Sequence, residues 1–124
     1  MKKQFLALIL AVLPAFALAQ SALEYPNDHV DIDLTDKAAL QDGARTFVNY
    51  CMGCHSAKFQ RYERVAADLG VAPGLMLENL VFTDAKIGDH MKIGMRPADA
   101  KVWFGAVPPD LTLVARVRGN DWLY

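Results

Sequence analysis

A chain of 124 residues with two cysteines suits one small domain. Its 13 basic and 14 acidic side chains give a formal charge of −1, and no basic tract marks it for nucleic acid. Neither a repeat nor a low-complexity tract is present.

The N-terminus reads as a targeting segment. Lys2 and Lys3 make a positive start, the run from Phe5 to Phe16 is apolar apart from Pro14, and Ala17 to Ala19 fit a small-residue cleavage site. Residues 1–19 are therefore expected to be a secretory signal cut before Gln20. A membrane anchor fits less well, because the apolar run falls short of the roughly 20 residues that span a bilayer. Removing Lys2 and Lys3 leaves 11 basic against 14 acidic residues, a mature charge of −3. No second apolar run follows, so residues 20–124 as given are not expected to cross a membrane. Export puts the thiols in an oxidising compartment, where a disulfide is the default expectation. A core of about 105 residues is modest unless something else fills it.

Gln20 to Leu34 is polar, contains Pro26 and reads as extended. A helix is expected next, capped by Thr35, with Asp36 in its first turn and Ala38, Ala39, Ala44, Phe47 and Val48 at helical spacing as far as about Tyr50. Gly43 inside it costs roughly 1 kcal/mol against alanine and points to a close approach of another backbone. After the cysteine pair, FQRYERVAADLG (59–70) reads as a second helix stopped by Gly70, and LMLENLVF (75–82) as a short third. Residues 83–96 read as loop. Pro97 opens a helix through Phe104 that Gly105 closes. The turn VPPD (107–110) lets Asp110 cap a last helix, Leu111 to Arg118, stopped by Gly119. No convincing alternating strand is found, so the fold class is all-α, short helices joined by glycine and proline loops.

Both cysteines lie in the stretch CMGCH, Cys51 to His55. Zinc needs about four ligands, and two thiols with His55 fall short unless His29 or His90 joins from afar. A redox dithiol belongs after a strand, whereas this pair follows a helix. A disulfide between thiols so close in sequence closes a tiny loop and constrains the unfolded chain little. Cys-x-x-Cys-His is instead the signature of covalent c-type haem attachment. Each thiol adds across one vinyl group, and the next residue reaches the iron. His55 is then the proximal ligand through one ring nitrogen, the other being held by a carbonyl or similar acceptor. One haem c would also supply the centre that so small a core lacks.

Three longer stretches, NYCMGCHSAKFQRYERVAADLG (49–70), KIGMRPADAKVWFG (92–105) and PPDLTLVARVRG (108–119) running into the closing NDWLY, resemble cytochrome c1, the haem subunit of the cytochrome bc1 complex. The likeness runs from about Tyr25 to Tyr124. It implies a class I cytochrome c-like haem fold and an electron carrier on the periplasmic side of a bacterial inner membrane. Such a carrier sits with cytochrome b in ubiquinol:cytochrome c reductase, takes electrons from the Rieske iron-sulfur protein and hands them to a soluble cytochrome c. Its membrane association would come through that complex, and it is not an enzyme alone. The likeness also implies a haem-lid role for Pro108 and Pro109 and a contact from Arg118 to a haem propionate. From charge placement alone, Arg116 and Arg118 equally suit a solvated helix end; a guanidinium fork suits a carboxylate.

In that family the methionine ligand to the sixth iron position and a membrane helix lie beyond the part matched by Tyr124, so the expectation is the N-terminal part of such a protein. Met91 and Met95 in the glycine-containing loop are the local substitutes, with His90 and His29 behind them; Met76 and Met52 read as packing. Without a methionine ligand the sixth site would be open and the reduced haem would bind carbon monoxide. The alternative function is then a stand-alone periplasmic haem protein, a small-ligand sensor or a peroxidase-like enzyme with His90 as acid or base. Phe47, Tyr50, Phe59, Tyr62, Phe82, Trp103, Phe104 and Trp122 are expected to pack around haem and helices, Trp122 near the haem by the resemblance. The mature charge of −3 mildly favours a basic partner.

Overall fold

The computed structural model describes residues 28–124, so the expected signal at 1–19 and the start of the leading segment lie outside the described residues. Helix α1 spans Lys37–Thr46 and passes directly into a π-helical turn, Phe47–Cys51. Strand β1 (Ala57–Arg61), α2 (Tyr62–Leu69), α3 (Pro73–Leu80), β2 (His90–Met91), α4 (Pro97–Phe104), α5 (Val114–Arg118) and α6 (Asn120–Leu123) follow. The chain is mostly helical, as read from the sequence, with one small antiparallel ladder added.

That ladder pairs Ala57 with Met91 and Arg61 with His90, with a bulge between. It changes the second helix, which starts at Tyr62 rather than Phe59 because the backbone of 57–61 is committed to β2. No side chain caps α2; the carbonyls of Asp89 and Ile87 take the N–H groups of Tyr62 (3.2 Å) and Glu63 (2.7 Å) instead. At its other end, Gly70 is left-handed at φ 68°, as its place after the last apolar residue predicts. Lys37 and Gln41 of α1 reach across to the last carbonyls, those of Asp68 and Leu69, each at 2.8 Å.

The cap of α1 is Asp36, whose carboxylate accepts from Ala39 N–H at 3.0 Å, not Thr35. Asp33 has taken Thr35 first, its Oδ1 accepting from both the Thr35 amide (2.7 Å) and hydroxyl (2.6 Å). Around Gly43 a side-chain carbon would meet nothing within 4 Å, so the expected close backbone is not there among the described residues.

The core gathers Val48 and Met52 from the attachment segment, Ala57 and Met91 from the ladder, Tyr62 and Ala66 from α2, and Met76 from α3. Three of these are methionines, an adaptable filler for a core built from short elements. Among the described residues no helix is long and apolar enough to cross a membrane.

Candidate haem site

The π turn delivers the cysteines. Met52 N–H reaches back five residues to the Phe47 carbonyl at 2.9 Å, and His55 N–H then reaches the Cys51 carbonyl at 2.9 Å. The inserted π residue re-phases the chain, so that Val48 and Met52 face the core while Cys51 is half-buried and Cys54 exposed. Both are free thiols in this structure, not a disulfide.

His55 is half-buried, and its Nδ1 lies 2.8 Å from the carbonyl oxygen of Pro109. A carbonyl only accepts, so Nδ1 carries the proton and Nε2 keeps its lone pair as a donor to a metal. Two accessible thiols, one a turn before and one directly before an imidazole with its far nitrogen available, are the donor set that covalent haem c needs, and the residues fit that group. The resemblance implied a lid role for Pro109; what the geometry adds is that its carbonyl is the partner of the histidine.

The segment after the motif is tied to the segment after Pro109 at several points. Leu111 N–H donates to the Ser56 carbonyl (2.9 Å), Lys58 N–H to Asp110 Oδ2 (2.7 Å), and Phe59 N–H to the Thr112 hydroxyl oxygen (3.3 Å). Asp110 Oδ1 also accepts from Thr112, through its amide (3.1 Å) and its hydroxyl (2.6 Å). Asp110 therefore does not cap a helix at Leu111, as the sequence had it doing; its carboxylate is consumed here, and α5 starts only at Val114. Burial pushes the Asp110 carboxyl up, but the amides of Lys58 and Thr112 and the Thr112 hydroxyl outweigh it and hold the group below its ordinary 3.8. Ser56, Asp110 and Thr112 were missed as site residues; an Asp two residues before a Thr after a Pro-Pro pair is the signal for such a turn.

Arg118 is exposed, its guanidinium stacked over the Trp122 ring at 5.3 Å. His29 and His90 do not join the cysteines: His29 lies 3.2 Å from Asp121, and His90 sits in the ladder opposite Arg61. Among the described residues no group of three or more His, Cys, Asp or Glu side chains is placed to hold a metal ion. Of the substitute ligands, Met91 belongs to the core cluster and Met95 is half-buried in the loop before α4. Tyr50, Phe59, Phe82, Trp103, Phe104 and Trp122 are exposed, Trp122 lying beneath the Arg118 guanidinium and Trp103 edge-to-face with Phe104.

No protein-family profile matches the chain. It is 48% identical over 124 residues to a cytochrome c1 of Allochromatium vinosum, matching all of this chain and 50% of that protein. It is also 46% identical over 118 residues to an ammonia monooxygenase gamma subunit of Nitrosomonas europaea, matching 94% of this chain and 50% of that protein. The chain spans about half the length of both relatives. From end to end it is similar to cytochrome c1, and its short helices around one small ladder make a cytochrome c-like fold.

Proposed function

We propose that this chain is a c-type haem electron-transfer protein of the cytochrome c1 kind. The observation that carries the reading is the pairing of His55 Nδ1 with the Pro109 carbonyl at 2.8 Å, directly beside two free thiols in Cys-x-x-Cys-His spacing. Cys51 and Cys54 would hold one haem through thioether links, and His55 would bind its iron through Nε2. When bound, haem c supplies a one-electron couple. Pro109 keeps the imidazole in one tautomer and orientation, which strengthens it as a donor. Arg118, exposed and stacked over Trp122, is assigned to a propionate, for which a guanidinium fork is suited. Residues 1–19 act as the export signal and residues 20–124 as the haem domain, on the periplasmic side of a bacterial inner membrane.

The partners that go with this reading are cytochrome b and the Rieske iron-sulfur protein as neighbours and a soluble cytochrome c as acceptor, within a ubiquinol:cytochrome c reductase. The near-equal likeness to a protein named as an ammonia monooxygenase subunit supports a second assembly, in which the same haem domain serves that oxidase. Affinity purification from native membranes separates the two by which subunits come with it.

The deciding experiment is production in a bacterium that matures c-type cytochromes. Intact mass should equal the polypeptide from Gln20 plus one haem, and Cys51→Ser or Cys54→Ser should each leave a single thioether. A bare polypeptide, with thiols free or bridged, overturns the reading.

A further inference from the structure

We propose that Asp110, working with Thr112, is the positioning residue for His55, the candidate haem-binding histidine. Pro108 and Pro109 have no backbone N–H, so neither can donate a backbone hydrogen bond to hold the carbonyl that meets His55. Among the described residues, the hydrogen bonds that tie this segment to the chain after His55 are all made by residues just after Pro109. Of the three links to the motif strand, only Leu111 N–H to the Ser56 carbonyl is backbone to backbone. The other two run through side chains: Lys58 N–H to the Asp110 carboxylate at 2.7 Å, and Phe59 N–H to the Thr112 hydroxyl at 3.3 Å, with that hydroxyl donating to Asp110 at 2.6 Å. Asp110 thus spans the chain on both sides of the His55 to Pro109 contact: it is adjacent to the acceptor, and its partner Lys58 is three residues beyond the histidine.

The consequence is electronic as well as mechanical. A well-held Nδ1–H···O bond makes Nε2 a stronger donor, and a haem held by His55 would then have its oxidised state favoured and its reduction potential lowered. Loosening the carboxylate staple would let the Pro109 carbonyl drift, weaken His55 as a donor and raise the potential of a haem bound there. This inference rests on the haem reading above, and the test keeps the two apart.

The test uses the haem-loaded chain and the variants Asp110→Ala, Asp110→Asn, Thr112→Val and, as a remote destabilised control, Leu69→Ala. Potentiometric titration should move the one-electron equilibrium toward the reduced form by up to about tenfold in Asp110→Ala, less in Thr112→Val, with Asp110→Asn between them and wild type because one acceptor oxygen survives. Leu69→Ala should lose stability and leave the potential where it was. An unchanged potential in Asp110→Ala, or an equal shift in Leu69→Ala, overturns the proposal; where Asp110→Ala does not accumulate, an unchanged potential in Thr112→Val does so. Should wild type carry no haem, the haem reading fails alone, and ¹⁵N shifts of the His55 ring judge the staple: the Nδ1-protonated form should give way to mixed tautomers in Thr112→Val, and an unaltered ring overturns it.

Discussion

The stretch from Val48 to Ile93 and the stretch from Pro97 to Tyr124 are held by different physics. The first contains eight of the nine buried apolar side chains among the described residues, packed across the π turn, the ladder, α2 and α3. The second contributes only Ala100, while Trp103, Phe104, Leu113, Val117, Trp122 and Tyr124 are exposed. It is tied instead by directed hydrogen bonds: Pro109, Asp110, Leu111 and Thr112 to His55, Lys58, Ser56 and Phe59, and Asp121 to the amide of Val30 (3.0 Å). Apolar burial tolerates small shifts, whereas a bond to one ring nitrogen does not, and it is the second kind of attachment that meets the candidate haem ligand.

The largest break in this contrast should come from Tyr62, which is 1% exposed at the centre of the first region. Tyr62→Ala is expected to cost about 3–5 kcal/mol, the range for deleting a buried aromatic, and thermal or denaturant unfolding reads it. Trp103→Ala, at 64% exposure, should stay within about 0.5 kcal/mol in the same measurement before haem is attached. Equal losses at the two positions would erase the distinction between the regions.

Next in size is the second region's own anchor. Asp110→Ala removes an ionised acceptor from three donors and should cost about 1–3 kcal/mol. Hydrogen exchange should show the amides of Lys58, Phe59 and Thr112 losing protection while those of α2 keep theirs. Loss spread evenly over both regions would mean that the segment is part of one core after all.

Acid should separate the regions more gently. Asp110 is held below 3.8 despite burial by the donors named above, and Asp121 is held below 3.8 first by the Val30 amide and then by His29. Folding therefore favours the ionised forms, so their stabilisation is complete above the ordinary carboxylate value and is lost as pH falls through the lower folded values. Amide exchange followed downward in pH from 5 should open residues 108–124 before the core cluster, in which Tyr62 is pushed up by burial and stays neutral throughout; the first region's own lowered carboxyl, Asp68, is held down chiefly by its hydrogen bond from Arg64 and lies exposed on α2, outside that cluster. Simultaneous opening would remove the electrostatic part of the contrast.

What the sequence made legible follows the same division. Elements with local signals were readable: Pro97 to Gly105 opens and closes where proline and a left-handed glycine (φ 75°) require, Gly70 ends α2, and Gly119 ends α5. Cys51, Cys54 and His55 stand out by their spacing as the candidate haem site. The ladder was hidden because Ala57–Arg61 carries no alternation and its partner, His90–Met91, is two residues long and some thirty residues away. Asp110 was misread because a carboxylate before an apolar run satisfies the rule for a helix cap, while the donor that wins it, Lys58 N–H, is 52 residues distant. At Thr35 the competing acceptor was a near neighbour, Asp33, and still decided the cap.

Gly43 gives the finest test. A glycine in mid-helix costs roughly 1 kcal/mol against alanine, so its presence calls for a reason, and the sequence reading supplied one in the form of another backbone packed against it. The described residues hold nothing within 4 Å of the added carbon, and α1 itself buries no side chain. In this chain Gly43→Ala should therefore raise stability by about 0.5–1 kcal/mol, seen as a higher unfolding midpoint. A loss instead would mean that something closes on this face of α1 in solution, and the size of the loss would measure how tightly; it would then place a third packed surface beside the core and the hydrogen-bonded strap.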